Sequence, residues 1–480
     1  MTTPKTITVH TIPMATVKLT LNDHSVSVHK TIPSKAVNHH DIAFRYILRA
    51  TFEESTRTLS LAYVHKKNKV LHLTTFEGTV EETETSNASE WAESVMKAVY
   101  DDAGIKRSRH LKVLVNPFSG TKRGTGAFTK QVKPMLDIAG CKLDVLYTTH
   151  RGHAKDVAKT LPLDFDAVIT VSGDGLIHEV MNGFAEHADP MRAFQIPVAP
   201  IPTGSGNGLS LNLLGLEEGF DIVAAALNII KGQPMPVDLF SVTQSGKRTI
   251  SFMSQALGLM ADLDLGTEHL RWMGDARFIY GLLRGLIKFK SCPVQLSFKL
   301  AENDKDKMAA EFAAKQKEIT DALPGSRTTI LPLPENIGQG LPPLQHIHED
   351  TDGWTTFDEP LLFVYAGKGP YVGRDYMAFP VSVADDGLID IIAMAKVNRG
   401  DILSSMDGAP KGDSFWHPHA HYVKAHAYRV KPLSQDGCLA VDGEAYPFEE
   451  YQVEVHKGLG NLLSLYGQYA GKFGPRPKKP

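Results

Sequence analysis

The sequence predicts a β-rich stretch, then an α/β half built on a parallel sheet, then an all-β half folded as a sandwich. Three observations carry this. From Lys106 onward, short apolar strands alternate with helix-like stretches, the pattern of a parallel sheet covered on both faces. Residues 1 to about 86 hold only short runs rich in β-branched and aromatic residues, separated by polar turns. Near Met235 the strand texture returns and persists. The expected boundaries are a β-rich extension over 1–105, an α/β domain over 106–235, a sandwich over 236–460 with an insertion at about 302–358, and a tail over 461–480.

In the extension, TVKLTL, FRYILRATF, TLSLAYVH and VLHLTTF are the strand candidates. SEWAESVMKAVYDDAG then places Trp91, Val95, Met96 and Val99 at helical spacing, with Asn87 and Ser89 as candidate caps. In the order of its elements this region resembles a pleckstrin-homology-like module. HLKVLVNP, LDVLY, DFDAVITVSG and QIPVAPIPTG supply the parallel strands of the next region. PVDLFSVT, RTISFMSQAL, VQLSFKL, LLFVYAG, GLIDIIAMA, AHAYRVKP, CLAVDG and QVEVH supply the sandwich. The mixed-charge and Pro-rich stretch over 302–358 reads as a solvated insertion, part helix and part disorder, and GKFGPRPKKP as a disordered tail.

A formal net charge of −3 with 22% charged residues gives no basic excess for nucleic acid. The cysteines Cys141, Cys292 and Cys438 are odd in number and far apart, which fits a reduced intracellular protein. The N-terminus has no signal-like apolar run and no stretch approaches 18 apolar residues. The expectation is a cytoplasmic protein, soluble or peripherally associated with membranes. The four histidines of WHPHAHYVKAHAYR read as a strand edge, since HAYRV alternates, rather than as a metal site. Oligomeric state has no sequence signal.

Three glycine-bearing loops fall where strands of the α/β half end: NPFSGTKRGTG (116–126), SGDG (172–175) and PTGSGNG (202–208). Open α/β sheets bind ligands at strand C-termini, and bare backbone N–H groups there suit phosphate oxygens. No GxxxxGK[ST] is present, GSGNG does not fit a dinucleotide fingerprint, and no HRD or DFG accompanies the loops. Asp174, between Gly173 and Gly175, sits at a strand tip where it can accept a hydroxyl proton in phosphoryl transfer. The alternative is that it caps the helix beginning near Leu176.

Taken in order, NPFSG, VSGDGLIHEVMNG, PTGSGNG, LMADLDLGTEHLRWMGDARF and AVDGEAYP closely resemble the sphingosine (sphingoid long-chain-base) kinases. These belong to the diacylglycerol-kinase-like superfamily, which also holds ceramide kinases and, more distantly, NAD kinases. The resemblance covers roughly 106–300 and 360–457 and implies an ATP- and Mg²⁺-dependent kinase of a sphingoid base, with Asp174 as catalytic base. It implies a nucleotide pocket formed by Asn116, Pro117 and Phe118, by Thr148, Thr149, His150, Arg151 and Gly152, by Glu179, and by Gly204, Ser205 and Gly206. Arg271 and Arg277 would contact phosphate, and Asp442, Gly443 and Glu444 would close the site, with Asp442 and Glu444 serving Mg²⁺ directly or through water. Ser172, Gly173, Gly175 and Asp264 would meet the lipid headgroup. One departure is that Ser119 and Lys122 stand where members commonly have glycine.

The residues keep alternatives open. Either arginine can be a surface charge, and Asp442–Gly443 can be a plain hairpin turn. Asp264 can cap a helix near Thr267, with Asp262 as its substitute in reading the amine. RFIYGLLRGLIKFK can border a lipid pocket and touch a membrane, or pack in a core. Within the resemblance, Ser172 before GDG implies a sphingoid base over the rival substrates diacylglycerol and ceramide, whose kinases usually carry glycine there. The joint presence of Asp174, Glu179, Arg271, Arg277 and Glu444 speaks against a catalytically silent lipid-binding protein.

Overall fold

The computed structural model describes residues 5–11, 15–31, 38–119, 124–267, 270, 276–321, 340–346, 352–357, 359–474 and 476. The extension is a seven-stranded antiparallel sheet: β1 Lys5–Thr11, β2 Ala15–Leu21, β3 Ser25–Thr31, β4 Asn38–Ala43, β5 Ile47–Glu53, β6 Thr58–Lys67 and β7 Val70–Thr79, in the order β4-β3-β2-β1-β7-β6-β5. Alternation drives it: Ala15, Val17 and Leu19 of β2 face inward while Thr16 and Lys18 face water. The helix Thr85–Met96 closes it, with Trp91 2% exposed and its indole N–H donating to the Lys5 carbonyl at 3.2 Å. Because this helix begins at Thr85, Asn87 and Ser89 lie inside it and do not cap it. β1, β3 and β4 were not expected.

The α/β sheet comprises β8 His110–Val115, β9 Lys142–Tyr147, β10 Ala167–Ser172 and β11 Val198–Pro202, parallel in the order β11-β10-β8-β9. β10 and β11 are buried at every residue, as expected for strands covered on both faces. One hydrophobic core runs from the extension into this half. The Tyr100 hydroxyl donates to the Leu48 carbonyl at 2.7 Å, and Arg49 reaches the Ile138 carbonyl at 3.3 Å.

The remaining strands are β12 Gln233–Gln244, β13 Lys247–Ser251, β14 Ser254–Gly258, β15 Val294–Glu302, β16 Thr355–Phe357, β17 Leu361–Gly367, β18 Tyr371–Gly373, β19 Tyr376–Met377, β20 Ile389–Ala395, β21 Ala420–Pro432, β22 Leu439–Val441, β23 Glu444–Tyr446 and β24 Tyr451–Ser464. β24 joins the halves: it pairs with β12 and β21, then meets β11 at Val198↔Leu462. A single hydrogen-bonded path therefore runs β23-β22-β14-β17-β20-β21-β24-β11-β10-β8-β9.

Several expectations are corrected here. RTISFMSQAL is two strands, β13 and β14, because the chain bends at Phe252 and Met253. β21 pairs with β15, β20 and β24, so the histidine-bearing strand is interior and not an edge. The insertion begins with the helix Lys305–Asp321, which buries Met308 and Phe312; residues 322–339 lie outside the described residues. The expected tail starts inside β24, and Phe473 packs on Phe415 and Trp416 with ring centroids 5.4 and 5.9 Å away.

The loops after β10 and β11 touch backbone to backbone. A Cβ on Gly204 would lie 2.3 Å from Gly173 Cα, and one on Gly173 would lie 2.5 Å from the Gly206 carbonyl oxygen. A Cβ on Gly206 would come no closer than 3.8 Å, to Asp174 Oδ2. Gly204→Ala is therefore expected to force the loops apart and lower stability by about 1–3 kcal/mol, while Gly206→Ala melts near the parent. Thermal melts of the two variants side by side check this; equal shifts would contradict it.

Candidate active site

Asp174 opens the helix Asp174–Ala185 at the tip of β10. Its carboxylate does not cap that helix. Oδ2 accepts from the Gly208 N–H at 2.7 Å and Oδ1 from the Leu209 N–H at 3.2 Å, both at the start of the neighbouring helix Gly208–Glu218. Its own N–H donates to the Gly206 carbonyl at 3.1 Å. Asp174 is 8% exposed, and burial pushes its carboxyl up to about 6. The two backbone bonds oppose that rise; the charges of Asp442 and Asp264 add to it. The result is a carboxylate that is ionised at neutral pH yet more basic than an exposed one.

Asn116 organises the first loop. Its N–H donates to Val171, its Oδ1 accepts from the Phe118 N–H at 2.9 Å, and its amide reaches Ser172 Oγ at 3.5 Å. Ser172 also donates to Ser119 at 3.2 Å, so the serine that departs from the family pattern is tied into the site. Phe118, after Pro117, is exposed. In the third loop Asn207 ties Gly204 from both sides, donating to its carbonyl at 2.8 Å and accepting from its N–H at 3.2 Å; Ser205 and Gly206 complete the turn.

Thr148 hydrogen bonds back to Val115, and Thr149 contacts the rings of His150 and His153. Gly152, at φ +91°, precedes the helix His153–Lys159 in the left-handed conformation that glycine tolerates. Glu179 accepts from the N–H groups of Gly152 and Ala154 at 2.9 and 3.0 Å. Its carboxylate shapes the 148–152 loop.

From the other half, β22 and β23 are joined by the two-residue turn Asp442–Gly443, with φ +49° and +81°. The turn is thus a hairpin, and it also does more. Asp442 accepts from Ser251 Oγ (2.8 Å), the N–H groups of Met253 and Ser254 (3.0 Å each) and Phe252 (3.2 Å), and His178 Nδ1 (2.8 Å). Those donors explain the bend between β13 and β14. Glu444 ion-pairs with Arg151 across the cleft, and its Oε1 lies 3.0 Å from where a Cβ on Gly175 would be. Asp264, inside the helix Leu259–Leu265 and so not a cap near Thr267, lies 3.5 Å from where a Cβ on Gly443 would be. Arg271 and the Arg277 side chain lie outside the described residues.

Sequence reasoning brought together Asp174, Glu179, Asp264, Asp442 and Glu444 but passed over His178, Asn182 and Asn207. The signal was available: Asp174, His178 and Asn182 recur at four-residue spacing, one face of a helix.

Comparison with known proteins identifies the domains and the family. Residues 110–242 match the diacylglycerol kinase catalytic domain, 346–463 the YegS C-terminal NAD kinase beta sandwich-like domain, and 8–101 a domain family of unknown function. Sphingoid long chain base kinase 4 of Schizosaccharomyces pombe is 31% identical over 90% of both chains. Sphingosine kinase 1 of Homo sapiens is 30% identical over 75% of this chain and 92% of that one, and sphingosine kinase 1 of Arabidopsis thaliana 28% identical over 75% and 76%. The crystal structure of a candidate diacylglycerol kinase from Bacillus anthracis str. Sterne shares the fold, with a TM-score of 0.51 at 20% identity over 75% of this chain and 96% of that one. The chain belongs to the sphingoid long-chain-base kinase family, lipid kinases with a diacylglycerol-kinase-like catalytic domain and a YegS-like β-sandwich.

Proposed function

We propose that this kinase transfers the γ-phosphoryl group of ATP to the primary hydroxyl of a sphingoid base, giving the 1-phosphate and ADP. The observation that carries the reading is the buried Asp174 carboxylate, raised to about 6 and held at the start of two helices. The substrate oxygen attacks the γ-phosphorus, the bond to the β–γ bridging oxygen breaks, and Asp174 takes the hydroxyl proton as the new bond forms. Asn116 to Phe118, Thr148 to Gly152 and Gly204 to Gly206 form the nucleotide pocket, with Glu179 shaping it; Arg271 and Arg277 meet phosphate.

The donor set suits Mg²⁺, a hard cation that takes one or two carboxylates beside phosphates and water. Glu444 is partly exposed and its ion-pair partner Arg151 is exposed, so its carboxylate is the one placed to serve the metal. Both oxygens of Asp442 are taken by protein donors, so Asp442 contributes by fixing the hairpin and not as a direct ligand. When bound, the metal would supply positive charge against the negative charge of the transferred phosphoryl group.

Ser172, Gly173 and Gly175 border the reacting hydroxyl, and Asp264 reads the headgroup. A sphingoid base carries a protonated amine beside that hydroxyl, whereas diacylglycerol and ceramide carry none; they would forgo the ammonium–carboxylate contact with Asp264.

Membrane contact is assigned to the helix Ala276–Lys288, on a different face from the one its sequence suggests. Leu286 is buried and Leu282 packed, while Tyr280, Leu283 and Ile287 are 48%, 54% and 78% exposed. Leu403 of the helix Arg399–Met406 is also exposed; Arg399 of that helix donates to the Leu286 carbonyl at 2.7 Å. Arg284, Lys288 and Lys290 are exposed too. This suits a peripheral surface on an intracellular membrane. No helix among the described residues is long and apolar enough to cross one.

ADP release should depend on added sphingoid base and not on diacylglycerol or ceramide, and Asp174→Asn should lower kcat by about 10²–10⁴. A variant that keeps more than about a tenth of the parent rate contradicts the assignment of the base. Asp264→Asn should raise KM for sphingoid base about ten- to a hundredfold, in line with roughly 1.5–3 kcal/mol for a charged hydrogen bond, with KM for ATP and the melt little changed. Parent-like handling of the lipid would remove Asp264 from that role. Leu283→Glu with Ile287→Glu should cut sedimentation with anionic vesicles while the fold holds; undiminished sedimentation would remove this face from the membrane.

A further inference from the structure

Beyond Asp174, its helix presents two further polar side chains to the β half. Asn182 pins the helix to β13: its amide donates to the Ile250 carbonyl and its oxygen accepts from the Ile250 N–H, both at 2.9 Å. His178 lies between Asp174 and Asn182 and meets the hairpin twice. Nδ1 is 2.8 Å from Asp442 Oδ2, with the two side chains 11% and 0% exposed. Nε2 is 3.2 Å from the Tyr446 hydroxyl, and the rings are edge-on at 82°. A carboxylate oxygen accepts, so Nδ1 donates to Asp442, and Nε2 meets the Tyr446 hydroxyl.

Glu444 is midway between those two contacts in sequence. The imidazole therefore grips the hairpin on both sides of Glu444 and joins it to the helix that begins at Asp174 and Gly175. Asp442 keeps four donors from Ser251, Phe252, Met253 and Ser254 without it. Loss of the imidazole thus leaves the hairpin folded but removes its direct contact with the helix; what remains are the Arg151–Glu444 pair, whose arginine is 78% exposed, and the indirect route from Asn182 through β13 to the donors on Asp442.

We propose that His178 is a positioning residue for Glu444, holding the Asp442–Gly443 hairpin so that the Glu444 carboxylate stays over Gly175 where the metal–nucleotide complex binds. The proposal rests on the reading of Glu444 as the metal-side carboxylate. An asparagine at 178 has an amide that can donate to Asp442 as Nδ1 does; an alanine has nothing.

The test measures Mn²⁺ affinity by electron paramagnetic resonance on the full chain with a non-hydrolysable ATP analogue, beside melts and lipid KM. His178→Ala should weaken Mn²⁺ about tenfold, as loss of an outer-shell partner does, with lipid KM unchanged, and His178→Asn should restore most of the affinity. Glu444→Gln serves as the reference. If Glu444→Gln weakens Mn²⁺ and His178→Ala does not, whatever happens to its melting point, the proposal is overturned and His178 is only structural. If neither variant changes Mn²⁺ affinity, the reading of Glu444 fails as well.

Discussion

Two backbone N–H groups, those of Gly208 and Leu209, hold the Asp174 carboxylate, and most of the site follows from that contact. It fixes the loop after β10 against the loop after β11, which meet so closely that Gly173 and Gly204 admit no side chain. It places a negative charge at the positive ends of two helices, which offsets the cost of burying it. The remaining cost of burial shows as a carboxyl raised to about 6 and not as an unpaired charge. Glycine on both sides of an aspartate thus answers two demands: Gly173 lets the loops touch, and Gly175 leaves room for Glu444.

A second buried carboxylate, Asp442, does for the domain boundary what Asp174 does for the loops. Five protein donors gather on it, four from residues 251–254 and one from His178. Together with β24, which crosses from the sandwich into the parallel sheet, it makes the cleft a welded joint and not a loose hinge. Perturbed charge elsewhere has another meaning. Lys368, fully buried, is paired with Asp238 and Asp386, and Asp386 pairs with Lys424; neighbouring charges satisfy one another. Asp174 differs in that backbone N–H groups hold its carboxylate.

The parallel strands, the loops at their ends and Asp174 were legible because each is written locally, as an apolar run stopped by glycine. The strands β1, β3 and β4 were not: KTITVHT, SVSVHKT and NHHDIA place Thr, Ser, His and Lys on their solvent faces, leaving few apolar residues for a period-two signal. The helix Ala276–Lys288 has apolar residues around much of its circumference, so periodicity alone could not say that Leu283 and Ile287 are exposed and Leu282 and Leu286 packed; its neighbours decide that. Phe473 packs on Phe415 and Trp416, a contact that no local pattern announces. The contact between His178 and Asp442 likewise appears only when residues 264 positions apart meet.

The central claim is that burial makes Asp174 a base suited to neutral pH. Because burial raises this carboxyl, its protonated form dominates below about 6 and its ionised form above. The measurement is kcat against pH at saturating Mg²⁺, ATP and sphingoid base. The account predicts a rate that is level near neutrality and falls tenfold per pH unit once the pH drops below about 6. A rate unchanged from about pH 7 down to about pH 5, where Asp174 would be mostly protonated, would contradict it.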